Sequence, residues 1–298
     1  MPGASRVFTL TNHDEARADL RSRLDALIAR TRVEQRLHAD PVGFVHRYTD
    51  RSDQEVAAVL AGSLAYGRVA AFRPVLGRLF DRADRMGGPM RWVEGFDIET
   101  ESQELASLVY RWNRGSDLVL LLAALRRSLA RAGTLEAMLG PGELPEALDA
   151  LVVALRADAV AVAGAADFAA LPRGVRTLLP RPADGSATKR WWMVMRWLIR
   201  RPTHGVDLGL WRSRRPAELV VPLDTHVLRV SQFLGWTARK DASLRTAREV
   251  TEALRTLDPV DPIRYDFALA HLGISGACRG HRDPDVCPGC PLNPMCTA

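Results

Sequence analysis

Apolar positions along this chain recur at helical spacing and almost nowhere alternate strictly with polar ones, so the pattern predicts helices throughout. The first is amphipathic and heavily charged, over 14–37, and Asp40-Pro41 breaks it. Asp53 is placed to cap a second helix through Glu55, Val56, Val59 and Leu60. That helix ends in Ser63-Leu64-Ala65-Tyr66-Gly67-Arg68-Val69, which opens a third reaching about Met86 before Gly87-Gly88-Pro89 interrupts the chain. Further helical periods cover 105–112, 117–132 and an Ala-rich run over 143–163. A helix over 191–199 is apolar nearly all round, with Arg196 in its middle, which marks it as core. After Pro222, Asp224 occupies an N-cap position ahead of Val227, Leu228, Val230 and Phe233. Two last helices are expected over 246–257 and 262–272, with Asp261-Pro262 as a cap followed by proline in the first turn. No stretch reads better as a strand, and no internal repeat or low-complexity tract appears, so the fold class is all-α.

Composition changes this picture little. The chain has 298 residues, 47% hydrophobic and 26% charged, as in ordinary globular proteins. Charges interrupt every long apolar run, and the N-terminus lacks a basic-then-apolar leader; both readings argue for a cytoplasmic protein with no membrane partner. Charge distribution matters more. Residues 173–229 hold twelve Lys/Arg against four Asp/Glu, a local +8 within a total of +6. Such a concentration suits a polyanionic partner, and equally describes a solvated basic face.

The candidate chemistry falls inside that basic stretch. Gly185 permits a tight turn, Ser186 or Thr188 is placed to cap the following helix, and Lys189 then lies in its first turn. A helix start and the neighbouring Trp191 and Trp192 both disfavour a cation there, which would leave a nucleophilic amine. Taken alone, Lys189 reads better as an ordinary first-turn surface lysine. Asp224 opens the next long helix, and a cap aspartate is favoured whether or not it does chemistry. All four cysteines lie near the C-terminus, Cys278, Cys287, Cys290 and Cys296, spaced C-x8-C-x2-C-x5-C. Structural disulfides do not suit a cytoplasmic chain. Zinc usually takes two short Cys/His pairs and only one C-x2-C is present, whereas four thiolates on one loop suit a 4Fe–4S cluster.

Together these residues resemble the helix-hairpin-helix DNA glycosylase superfamily, of the endonuclease III type with a C-terminal iron–sulfur loop. Leu223-Asp224-Thr225-His226-Val227 with Arg229 is similar to that family's catalytic aspartate motif, and the cysteine spacing to its cluster loop with a longer first gap. The hairpin departs from the pattern. Leu179-Pro180-Arg181-Pro182-Ala183-Asp184-Gly185 carries a single glycine, Lys189 lies four residues beyond it, and extra residues separate the lysine's helix from Asp224. The wider pattern, including Tyr265-Asp266-Phe267-Ala268-Leu269, resembles an uncharacterised bacterial branch of the superfamily.

The resemblance implies two helical lobes flanking a DNA-binding cleft. A lobe over 38–170 would carry a DNA-wedging corner. A second lobe, over 171–277 and joined by the helix at 14–37, would hold the hairpin and catalytic residues, and 278–298 would form the cluster loop. It implies excision of a damaged or modified base from double-stranded DNA by a monomeric, nucleoid-associated enzyme. Asp224 and Lys189 would be catalytic, and Cys278, Cys287, Cys290 and Cys296 would hold the 4Fe–4S cluster. Gly185, Ser186, Thr188, Arg190, His226, Arg279 and Arg282 would contact DNA, with Tyr66 or Arg68 at the wedge corner; a tyrosine packed on the core is the other reading of that corner. The stripe Trp191, Trp192 and Trp197 could stack a flipped base, but packing is the better reading for at least two of them. A non-catalytic DNA-binding protein that keeps scaffold and cluster is the competing function.

Overall fold

The computed structural model describes residues 10–31, 37–202 and 205–297, with side chains from residue 14 onward. Helix α1 spans Leu10–Arg30; the rest of the helix expected to residue 37 falls largely on 32–36, outside the described residues. Then follow α2 (Val42–Val45), α3 (Arg51–Leu64), α4 (Val69–Arg85), α5 (Pro89–Glu94) and α6 (Ile98–Glu104). A two-stranded antiparallel hairpin, β1 (Val109–Tyr110) and β2 (Asn113–Arg114), leads into α7 (Gly115–Ala132) and α8 (Leu144–Ala163). The second half holds α9 (Arg173–Leu178), α10 (Lys189–Ile199), α11 (Thr225–Phe233), α12 (Leu244–Leu257) and α13 (Asp266–Ile274). The fold is mostly helical, and none of the described helices is long and apolar enough to cross a membrane.

Helix α3 is the hub. Its residues from Glu55 to Leu64 are all buried, and the Glu55 carboxylate accepts hydrogen bonds from the Trp211 indole (2.9 Å) and the Leu135 N–H (3.0 Å). Those bonds satisfy a buried charge that would otherwise be costly. Gly62 lets α10 approach closely: a Cβ there would lie 2.4 Å from Val194 Cγ2. Helix α10 is buried from Trp191 to Ile199, so the two halves share one continuous core across the α3–α10 contact. On the far side, α1 reaches the second half through Arg264–Asp25 (2.9 Å) and holds the C-terminal loop through Arg23 and Arg30, which donate to the Pro291 and Gly289 carbonyls.

Three expectations need correction. Asp50, not Asp53, caps α3, accepting from the Ser52 and Asp53 N–H groups; Asp53 instead accepts from the Met90 N–H and ties down α5. The stretch 105–112 is not a helix but a turn and the hairpin, the one strand pair among the described residues. Leu105, Leu108 and Tyr110 turn inward while Val109 and Trp112 face solvent, and the Gly115 N–H donates to the Leu108 carbonyl. The helix capped by Asp97 lies just upstream, as α6. Finally, 262–265 is a turn before α13, because the Asp261 carboxylate takes the Arg200 guanidinium instead of capping.

Candidate active site around Lys189 and Asp224

The segment from α9 through 179–188 to α10 forms a helix–turn–helix element. Gly185 sits at φ +79°, open to glycine at no steric cost. The turn is fastened to the start of α12: the Ala187 N–H donates to the Ala242 carbonyl (3.2 Å) and the Leu244 N–H to the Gly185 carbonyl (3.0 Å). Neither Ser186 nor Thr188 caps α10 with its side chain, contrary to expectation. Thr188 holds the N-cap position at φ +43° with its hydroxyl buried and without a hydrogen-bond partner among the described residues, and Ser186 Oγ accepts from the Thr188 N–H. A β-branched residue in left-handed backbone costs on the order of 1–3 kcal/mol, so the turn is held by its surroundings and not by local preference.

That turn delivers Lys189 to Asp224, with Lys189 Nζ 3.2 Å from Asp224 Oδ2. The other oxygen, Oδ1, accepts from the His226 and Val227 N–H groups (both 2.9 Å), capping α11 as the sequence predicts. One carboxylate thus opens a helix and pairs with the lysine, using a different oxygen for each. Burial pushes the Asp224 carboxyl up, but the Lys189 ammonium and the Val227 N–H outweigh it and hold the group below its ordinary value. Lys189 is therefore ion-paired and half-buried. The His226 ring lies against the α13 backbone, where a Cβ on Gly273 would come within 2.2 Å of Nδ1.

Behind the pair runs a buried ionic network that the sequence did not announce. Arg196 Nε donates to Asp207 Oδ1 (2.9 Å), and its Nη1 pairs with Asp266 Oδ2. Arg200 joins Asp207 Oδ2 (2.6 Å) to Asp261 (2.8 Å). Burial raises the Asp266 carboxyl despite Arg196, and Asp224 adds to the rise. The signal was present in Arg196, a charge inside an apolar helix, but its partners come from 11 to 70 residues away.

The remaining candidates divide. The Arg190 guanidinium donates inward to the Ser63 and Thr177 carbonyls and lies over the Tyr66 ring, and burial pushes it down to about 10; it is not presented to a phosphate. Trp191, Trp192 and Trp197 are all buried in the core, in line with the packing reading, and none is left to stack a flipped base. Tyr66 is half-buried, with its hydroxyl bonded to Asn113 Oδ1 (2.5 Å), while Arg68 is exposed. Part of the local +8 is internal, since Arg181, Arg196, Arg200 and Arg214 pair with carboxylates, while Arg173, Arg176, Arg201, Arg212, Arg215 and Arg229 are exposed.

A family model described as "Protein of unknown function (DUF2400)" matches residues 40–275. The chain belongs to this family. Comparison with curated proteins and with solved structures returns no match. The family match takes in α2 to α13, with Lys189 and Asp224, and stops short of the four cysteines.

Those cysteines are free and half-buried. Burial pushes the Cys290 thiol up, and Cys278, Cys296 and Cys287 all lie near enough to add to the rise. Their loop is fastened at both ends: the Cys278 N–H donates to the Leu272 carbonyl (2.8 Å) and the Thr297 N–H to the Phe233 carbonyl (3.0 Å). Among the described residues no three His, Cys, Asp or Glu side chains are drawn to one metal position. As a donor set, four neighbouring thiols on one anchored loop fit soft thiolate ligation. In that loop Arg279 pairs with Asp283 (2.8 Å), and Arg282 donates to the Cys296 carbonyl (3.4 Å).

Proposed function

We propose that this chain is a DNA repair glycosylase, with an abasic-site lyase step, that excises a damaged or modified base flipped out of the duplex. The observation that carries the reading is the 3.2 Å pairing of Lys189 with Asp224, two residues brought together from separate helix starts. An amine that attacks carbon must first shed a proton, and Asp224 is within reach to take it. In the proposed reaction the Lys189 nitrogen bonds to C1′ of the sugar as the bond from C1′ to the base breaks. The base leaves with that electron pair and takes up a proton. Asp224 stabilises the positive charge that develops on the sugar. Ring opening then gives a Schiff base, and loss of the C2′ proton expels the 3′ phosphate by β-elimination. The direct test is a panel of duplexes, each with one modified base, scored for released free base. Release from at least one member, abolished in Asp224→Asn, is expected; duplex binding with no release from any member would favour the non-catalytic reading.

Cys278, Cys287, Cys290 and Cys296 would hold a 4Fe–4S cluster, which when bound supplies a redox-active centre that clamps the C-terminal loop. Anaerobically purified protein is expected to be brown, with broad absorbance near ~400 nm, and any single Cys→Ser variant to lose cluster occupancy. Colourless, zinc-loaded protein would contradict the assignment.

Affinity for duplex DNA is expected to fall with salt, but less steeply than a local +8 implies, because several of those arginines are already paired inside the protein. A titration at several salt concentrations measures the slope. Affinity independent of salt would argue against nucleic acid as partner.

A further inference from the structure

The β1–β2 hairpin and Tyr66 build a surface that the excision chemistry does not use. Trp112 is 42% exposed at the hairpin tip, and its ring stacks on Tyr66 at 5.7 Å and 11°. Tyr66 is held in place by its own neighbours: Tyr110 packs at 4.8 Å, Asn113 Oδ1 accepts a hydrogen bond from its hydroxyl, and the Arg190 guanidinium lies over its ring. Two guanidiniums lie over the indole, Arg111 at 4.8 Å and Arg173 at 5.4 Å from its centroid, on flexible side chains that an incoming base can displace toward its phosphates. Both are exposed, as is nearby Arg68, and none of the three has a carboxylate partner among the described residues. Other arginines of this half are neutralised, such as Arg127 and Arg131 with Asp158 or Arg82 with Glu101, while Arg78 and Arg126 bond to the Ser107 hydroxyl and the Phe96 carbonyl and do not flank an exposed indole. Arg111 also occupies left-handed backbone at φ +55°, the first central position of the turn, where glycine would fit without strain.

We propose that this surface is a nucleic-acid platform on which an unpaired nucleobase stacks against Trp112 while Arg111, Arg173 and Arg68 hold the adjoining phosphates. An aromatic ring on a rigid support among uncompensated guanidiniums matches the two parts of a nucleotide, an apolar π-face and an anion. The base must be unpaired because a paired base keeps both faces stacked inside the duplex and offers none to a surface indole. The platform needs neither Lys189 nor Asp224, so it goes beyond the excision reading and stands if that reading fails.

The test is binding of a short unmodified single strand, followed by anisotropy, beside a fully paired duplex of the same sequence. Trp112→Ala is expected to weaken single-strand binding about tenfold with little effect on the duplex, and Trp112→Phe to restore most of it. Arg173→Gln should weaken both and flatten the salt dependence. Arg111→Gly should melt no lower than wild type, since strain is relieved, yet bind the strand less tightly. Unchanged single-strand affinity in Trp112→Ala would overturn the proposal. So would an equal loss on strand and duplex with an unchanged melting temperature, because that would make Trp112 a general contact and not a base platform.

Discussion

Asp224→Asn is expected to lower base excision by at least a hundredfold while leaving duplex binding intact or tighter. Asparagine still accepts hydrogen bonds from the His226 and Val227 N–H groups, so α11 keeps its cap and the fold survives. What disappears is the negative charge 3.2 Å from Lys189, and with it both the proton acceptor and the stabilisation of a developing cation. Near phosphates a carboxylate repels, so its loss should not weaken the ground-state complex. The pH dependence follows from the same geometry. The folded-state value of Asp224 lies below its unfolded one, so its contribution to stability is present above the ordinary carboxylate range and is lost as pH falls through the depressed folded value. An activity profile should therefore show no acid limb from this group above pH ~4. Full activity in Asp224→Asn would overturn the mechanism.

The second large effect is on stability. Asp207 receives both Arg196 and Arg200 while almost wholly excluded from solvent. Asp207→Ala leaves two buried guanidiniums with one partner each, and is expected to cost about 3–5 kcal/mol in chemical denaturation. The loss should reach the candidate site, because Arg196 also holds Asp266 behind the Lys189–Asp224 pair. A surface control, Asp14→Ala, removes only an exposed contact to Arg17 and should be close to neutral. If Asp207→Ala unfolds at the wild-type midpoint, the network has no part in holding α10 in place.

What was legible in the sequence had local causes. The cap at Asp224 and the boundaries of α7 and α8 follow from residues within a few positions of each other, as does the burial of α10. The failures share the opposite property. The hairpin at 109–114 has two residues per strand, too short for any period to register, and depends on Leu105, Leu108 and Tyr110 turning inward together. Asp261 reads as a cap until Arg200 arrives from α10 to take it. Thr188 reads as an N-cap by residue type, but the turn's attachment to α12 forces it into left-handed backbone, where its hydroxyl points into the protein. The site itself was half legible: each partner of the pair could be singled out, but their distance could not, because α10 and α11 are brought together by contacts between residues far apart in the chain, among them the network joining α10 to Asp207, Asp261 and Asp266.

The central claim is that Lys189 and Asp224 form one reactive pair. Borohydride reduction in the presence of duplex DNA carrying an abasic site tests it most directly, with the cross-linked residue located by mass spectrometry. The account predicts a covalent adduct on Lys189 in the wild-type protein, strongly reduced in Asp224→Asn and absent in Lys189→Gln. An adduct that persists in Lys189→Gln, or one mapped to another amine, would contradict it.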